Sequence, residues 1–393
     1  MDLMALSTWG QLKGIGVMGT ADFTHPIWQQ ELKSQLAESE SGLFELRPEF
    51  KKISDASVYD SCKGLQRFML SAEISTVFKR NGRCYRTHSI ILAPSFAAVE
   101  IITKELGKIG NIISDGRPIL GLDVKDLVKI VLSASPDCMV IPAHIWTPWY
   151  GLLGSKSGFD SVYECFGELT DYIYALEKGL SASMLMSAQV SELDRFAILC
   201  NSDAHSVQNL GREANIMSTD LLSYASITQA LRTNDKKALI AGIEFFPERG
   251  KYYGDGHRAC KVYLTPEQAK DYKNICPACH KSVTVGVLNR VSQLADRSFA
   301  QAQIYAAKSY RVVPLLDILS QQIGLSQASQ KVEKMYHHIL KSIGSEFFVL
   351  LEAPIEDIEK ASTPEIASAI ERLRAGNVVV TPGYDGVYGK LQF

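Results

Sequence analysis

Leu3, Leu6, Trp9 and Leu12 recur at helical spacing, which predicts an amphipathic helix over residues 2–13. The run Gly14-Ile15-Gly16-Val17-Met18-Gly19-Thr20 then reads as a short apolar strand ending at Asp22. Further apolar runs bounded by turn residues predict strands at 68–74, 89–93, 138–141, 172–176 and 197–200. Helical patterns fall between them, at 96–106, 124–132, 160–168 and 227–233. Strands alternating with helices predict an α/β sheet or barrel. Polar residues stand where several strands end: Asp22 after the first, His144 after Val140-Ile141, Asp203 and His205 after Ile198–Cys200. In α/β barrels the loops at the carboxyl ends of parallel strands carry the functional groups, so these residues are expected to converge.

The pattern changes near residue 247. Pro247-Glu248-Arg249-Gly250-Lys251 is a basic turn, and residues 257–280 hold a cysteine cluster. Amphipathic helices are expected at 287–296, 314–323, 327–343 and 364–374, before a Gly-rich loop at 382–389. This divides the chain into a large domain at 1–250, a small metal-binding module at 251–286 and a helix-rich domain at 287–393. Its 393 residues suit two or three domains, and 46% hydrophobic against 21% charged residues suits a globular protein with a sizeable core. A net charge of -2 excludes a whole-molecule basic field, so nucleic acid would have to bind through a local patch. No apolar run approaches the roughly 18 residues of a membrane span. The start lacks a basic region followed by an apolar stretch, so a cytoplasmic protein is expected.

Of eight cysteines, Cys62, Cys84, Cys138, Cys165 and Cys200 are scattered, mostly among apolar neighbours, and read as buried free thiols. The others belong to two x2 pairs, His257-x2-Cys260 and Cys276-x2-Cys279. Two such pairs bring four N/S donors into a closed tetrahedral site, which is structural zinc and not a catalytic one. His280 competes with His257 for the fourth position, and the spacing favours His257. Arg249, Lys251, Arg258, Lys261 and Lys281 make the module locally basic. Those charges read either as a solvated surface or as phosphate contacts.

His88, His144, Asp203 and His205, joined by Asp22 and Glu73, are candidates for a hydrolytic metal site, since imidazole and carboxylate suit zinc or manganese. Asp-x-His at a strand end points both side chains to one side. Blander readings stand beside each: His88 as a core histidine, the tryptophans around His144 as core packing, Asp22 as a helix cap. Their conjunction favours a site.

The ordered series Gly19-Thr20-Ala21-Asp22-Phe23-Thr24-His25-Pro26, Pro142-Ala143-His144, Thr147-Pro148-Trp149, Gly179-Leu180-Ser181-Ala182, Asn201-Ser202-Asp203-Ala204-His205-Ser206 and Leu210-Gly211-Arg212-Glu213 resembles the endonuclease Q family and its bacterial relatives. The resemblance extends through Asp255-Gly256-His257-Arg258 to the 382–389 loop, covering nearly the whole chain. It implies a polymerase-and-histidinol-phosphatase (PHP) type distorted (β/α)7 barrel, a zinc module and a helical C-terminal domain. It also implies DNA-repair incision 5′ of deaminated bases (uracil, hypoxanthine, xanthine) or of abasic sites. Asp22, Glu73, His88, His144, Asp203 and His205 match its metal-binding positions, with His25 a weaker match. They would hold two or three Zn2+, Mn2+ or Mg2+ ions, with Asp203 orienting the nucleophile. Arg212, Arg258 and Lys261 are candidates for DNA phosphates, with a structural ion pair as the alternative for Arg212. A base read outside the stack further requires a pocket for it.

One departure concerns the start. The family's first strand carries His-x-His, which this chain lacks, its first histidine being His25. The expected barrel therefore lacks its first strand, with an unpaired edge and an incomplete metal set, the start being a shortened one. Two other functions compete: a PHP-type phosphatase for small phosphate esters, and a non-catalytic DNA-binding protein. The zinc module and helical tail argue against the first. No Gly-x4-Gly-Lys-Ser/Thr loop supports a helicase.

Overall fold

A computed structural model describes residues 2–393. Helix α1 (Leu3–Lys13) starts where the Asp2 side chain accepts the Ala5 N–H at 2.7 Å and stops at Gly14, whose φ of 86° L-residues avoid. Strands β1 (Val17–Gly19), β2 (Leu36–Glu38), β3 (Phe44–Leu46), β4 (Arg67–Arg80), β5 (Arg83–Ala93), β6 (Ile119–Leu120) and β7 (Met139–Pro142) form a seven-stranded sheet. Its main path runs β2-β3-β4-β5-β7, while β1 and β6 pair parallel along β4. Among the described residues β1 has β4 as its only ladder partner. Strands β8 (Ala175–Glu177) and β9 (Ala197–Leu199) pair in parallel. Strands β10 (Ala214–Met217) and β11 (Leu239–Phe245) are antiparallel. A short ladder of β12 (Asp255–His257) and β13 (Val262–Leu264) follows, and β14 (Ser309–Val312) returns to pair with β11.

The chain is thus mixed α/β, but its main sheet is not the parallel one that strand–helix alternation suggests. Strands 68–74 and 89–93 are the inner parts of one long antiparallel hairpin, closed by Asn81-Gly82 between Arg80 and Arg83. Both turn residues have positive φ, 48° and 79°. That two-residue geometry follows the right-handed twist of the strands, and Asn-Gly favours it. The charged ends of the hairpin (Lys79, Arg80, Arg83, Arg86) hide its length in an apolar scan. The helix expected at 160–168 stops early, at Phe166, because Gly167 takes φ 54°. A 3-10 turn, Gly167–Tyr172, then occupies the start of the segment expected as a strand, which narrows to β8. The remaining helices lie close to expectation, at Phe96–Gly107, Val124–Ala134, Tyr224–Thr233, Val287–Leu294, Leu315–Ile323, Gln330–Ser342 and Pro364–Arg374.

The largest apolar core runs from Leu3 to Val291 and is centred on the main sheet. Val287 and Val291 belong to it, so the helix after the cysteine cluster packs backward. A second core gathers Val312 to Leu391 with Leu12, Val58, Ile243 and Phe246. One buried ion pair joins the two. Lys13 Nζ lies 2.7 Å from Glu346, with side-chain exposures of 1% and 4%. Tyr336 Oη donates to Glu346 at 2.8 Å and the Leu315 N–H at 3.0 Å, so that carboxylate is fully partnered. No helix among the described residues is long and apolar enough to cross a membrane.

Removing one partner of such a pair strands a buried charge, at a cost of about 3–5 kcal/mol. Lys13→Met is expected to lower unfolding stability by about that much in urea melts. Lys13→Met combined with Glu346→Gln should recover part of the loss.

Candidate functional site

Strand register sets the first part of the site. Glu73 pairs with Ile90 and Ser75 with His88, so Glu73 and His88 are diagonal neighbours on one face of the hairpin. Strand β7 pairs along β5 from Ser89↔Pro142, and the Ala143 N–H donates to the His88 carbonyl at 3.0 Å. His144 therefore emerges beside His88. His88 Nδ1 lies 2.8 Å from Glu73 Oε1 and 3.0 Å from His144 Nε2, and the last two atoms are 3.4 Å apart. One proton on His88 Nδ1 cannot serve both neighbours, and Glu73 Oε1 is buried without a well-directed hydrogen bond. Lone pairs converge, and the donor set fits a divalent cation.

The backbone is strained at these positions. Asp22, His144 and Asp203, each just past a strand, have φ of 51°, 30° and 43°. Non-glycine residues hold such angles only where their surroundings impose them, most often at functional sites. Gly179 backs onto His144, and a Cβ there would come within 2.7 Å of the His144 Cβ. Thr147 Oγ1 meets His144 Nδ1 at 2.8 Å. The His144 N–H donates to Glu177 Oε1 at 3.1 Å, and the Asn201 amide donates to Glu177 Oε2 at 2.9 Å. Arg212 donates to the carbonyls of Ser202 at 2.7 Å and Asp203 at 2.8 Å. It thus clamps the Asp203 loop, and among the described residues it makes no ion pair.

The charges sort by environment. Burial opposes the Glu73 carboxylate, yet the close approach of the His144 and His88 rings outweighs it and holds its pKa far below the usual range. Burial lowers the pKa of His88, whereas for His144 the attraction of Glu73 overcomes burial and raises it. Burial, Glu73 and Asp115 raise Asp22. Burial pushes Glu177 up to about 7.

Of the six expected ligands, Glu73, His88 and His144 are gathered. Asp22 feels the charge of Glu73, and His144 that of Asp203, so both acids border the cluster. Asp22 does not cap the following helix, whose N-cap is His25. His25 Nε2 bonds instead to the Ile113 carbonyl at 2.9 Å. His205 stands apart, its side chain 74% exposed and its Nδ1 3.0 Å from the Asp203 carbonyl. The period-2 argument for Asp203 and His205 fails because β9 ends at Leu199 and Asp203 sits in a left-handed turn. Sequence reasoning missed Glu177, although it obeys the strand-end rule that found Asp22. It also gave no role to Thr147, Asn201 or Arg117.

The second cluster matches its spacing: one donor atom each from His257, Cys260, Cys276 and Cys279 lies within 4.8 Å of the others. His257 Nδ1 is 3.3 Å from Cys279 Sγ, while His280 lies outside the set. Burial resists the Cys276 thiolate, yet the N–H groups of Ala278 and Cys279 help bring its pKa down to about 6, favouring a ligating thiolate. Arg258 and Lys261 are exposed on this module.

Two outcomes follow from this geometry. The Glu177 pKa is raised from 4.5 to about 7, so its stabilising contribution is complete below about 4.5 and lost as pH rises through 7. Thermal midpoints of chelator-treated protein should fall between pH 5 and 8, with a shallower fall in Glu177→Gln. The core of the His257–Cys279 module is only Leu264, Ala269, Cys276 and Val283, with Cys260, Val262 and Cys279 packed on it. Chelation or Cys276→Ala should therefore abolish hydrogen-exchange protection of residues 255–283 before that of β4 and β5.

Residues 314–377 match the family described as the MJ0043 C-terminal domain. The chain is 33% identical over 257 residues to the uncharacterized protein MJ0043 of Methanocaldococcus jannaschii, covering 64% of this chain and 31% of that protein. It is 32% identical over 257 residues to the uncharacterized protein YqxK of Bacillus subtilis, covering 65% and 61%. The matches thus span less than two thirds of either relative. Among solved structures it superposes on the lesion-specific endonuclease PfuEndoQ from Pyrococcus furiosus with a TM-score of 0.84 and 27% identity, over 100% of this chain and 90% of that one. A structure of endonuclease Q with a 27-mer duplex substrate bearing an abasic lesion at the active site gives 0.84 and 26%, over 100% and 92%. Along its whole length the chain is thus similar in structure to endonuclease Q, and its matches to MJ0043 and YqxK fit an endonuclease Q-like family.

Proposed function

We propose that this chain is a metal-dependent DNA-repair endonuclease that hydrolyses the phosphodiester 5′ of deaminated bases (uracil, hypoxanthine, xanthine) or abasic sites. The observation that carries the reading is the Glu73–His88–His144 cluster, three donor atoms within 3.4 Å set among strained strand ends. The likeness to endonuclease structures supports it. Glu73, His88 and His144 would hold Zn2+, Mn2+ or Mg2+, with Asp22 and Asp203 completing the set and His205 joining after its ring turns inward. The bound metal lowers the pKa of water and polarises a phosphoryl oxygen. The protein's part is orientation. Thr147 fixes the His144 ring through Nδ1, Glu177 fixes its backbone, and Arg212 holds the Asp203 loop. In this reading Asp203 aligns the nucleophile. His257, Cys260, Cys276 and Cys279 hold one structural Zn2+, and Arg258 and Lys261 meet DNA phosphates.

The test is incision of duplexes bearing a single uracil or abasic site by the metal-supplemented chain. Specific nicks 5′ of the lesion are expected. Thr147→Val should cost about 10–100-fold in metal affinity or rate, as loss of a ligand's outer partner does. Intact oligonucleotides, with phosphate released from small monoesters, would replace the endonuclease by a phosphatase. About one zinc per chain and no hydrolysis of either substrate would leave a DNA-binding protein.

A further inference from the structure

We propose that Arg117 binds the phosphate group on which the Glu73–His88–His144 cluster acts; this rests on the hydrolytic reading above. Beyond the oxygens that metal ions would take, a substrate phosphate keeps others that a cationic donor facing the cluster can bind. Arg212 is committed elsewhere: its Nε and Nη2 donors hold the Ser202 and Asp203 carbonyls and fix that loop. Lys178 cannot serve either, being sealed from solvent beneath the site with Glu213 and Glu244.

Arg117 is held at the cluster from both sides. The Ser75 N–H donates to the Pro118 carbonyl at 3.0 Å, and Ser75 pairs with Ile119, so the arginine enters beside β4 two residues from Glu73. Before it, the loop is shaped by Asn111, which accepts the Ile113 N–H at 2.8 Å, and by Asp115, which accepts the Arg117 N–H at 3.0 Å. Gly116 lies against the Asp22 carboxylate, and a Cβ there would stand 2.2 Å from Asp22 Oδ2. The loop therefore forms the wall of the site, and a Cβ at Gly116 would displace the Asp22 carboxylate. Arg117 Nη1 reaches Glu73 Oε2 at 3.5 Å, the guanidinium's only hydrogen bond among the described residues. Its side chain is 38% exposed, so the contact is weak and the remaining N–H donors are open. A planar fork of this kind matches two phosphate oxygens, which a lysine ammonium does not.

Inorganic phosphate is the probe, titrated calorimetrically into the full chain supplied with Mn2+. Arg117→Ala should weaken phosphate binding about tenfold or more, the loss of a charge-assisted hydrogen-bonding pair. Arg117→Lys should restore part, with bound metal and thermal midpoint unchanged in both. On abasic duplex, KM should rise more than kcat falls, and the slope of log affinity against log salt should drop by about one. Phosphate affinity that is unmeasurable in the unaltered chain, or the same in Arg117→Ala, overturns the proposal. So does loss of bound metal in Arg117→Ala, which makes the residue part of the metal scaffold. Arg117-dependent phosphate binding in a chain that does not nick DNA supports the role of Arg117 while rejecting the endonuclease reading.

Discussion

The register of the β4–β5 hairpin is the constraint on which the rest of the site depends. Side chains alternate along a strand, so a slip of one residue would turn His88 to the other face, away from Glu73. Three features pin the register. Asn81-Gly82 closes the hairpin with two positive-φ residues. The buried hydroxyls of Thr76 and Thr87 meet across the strands at 2.7 Å. Strand β7 then docks on β5 at Ser89↔Pro142, which delivers His144. Strand β6 hangs on β4 at Ser75 and delivers Arg117. Four side chains from four segments thus take their places from a single ladder.

Holding so much charge away from water needs a foundation, and it lies directly beneath. Lys178 follows Glu177, and Glu213 follows Arg212. Lys178 and Glu213 form a fully buried ion pair with Glu244 close by. Lys178 Nζ also donates to the Ala182 carbonyl at 2.9 Å, and Glu244 accepts the Met184 N–H at 2.8 Å. A buried pair of this kind gives little net stability, because desolvation offsets the attraction. What it gives is fixed geometry. The residues it anchors are neighbours of those that orient His144 and Asp203. Burial pushes Glu213 up to about 7, against the pull of the Lys178 ammonium.

The module that carries the His257–Cys279 quartet is bound into the same frame rather than appended to it. Asp255, wholly buried, accepts the Gly286 N–H at 2.6 Å and the Asn289 amide at 2.7 Å. Ser155 Oγ donates to the Val285 carbonyl at 2.8 Å, and Arg290 donates to the Leu153 and Phe159 carbonyls, both at 2.8 Å. These bonds tie the module to the loop that continues from His144. Asp385, in the C-terminal Gly-rich loop, accepts from the Arg258 N–H at 2.6 Å and from Thr284 at 2.7 Å. The module thereby links the loop after His144 to the C-terminal segment, and its exposed cations Arg258 and Lys261 are held at fixed positions.

Local chemistry wrote much of this into the sequence. The helices were legible because helical spacing and capping residues act within one or two turns. The His257–Cys279 quartet was legible because two x2 pairs suffice to bring four donors together. Asp22, His144 and Asp203 were legible as polar residues after apolar strands. The antiparallel hairpin was signalled by Asn81-Gly82, but charged strand ends masked its length. Glu177 was passed over although it ends an apolar strand, and Arg117 was not found because nothing in its neighbours states that the chain returns it to β4. His205 shows the converse: its spacing from Asp203 suggested a shared face, which a left-handed backbone at Asp203 removed. The sequence by itself thus determined which groups were available and which segments carried them. Only tertiary structure decided which groups meet, since register and strand order depend on pairing between residues far apart in the chain.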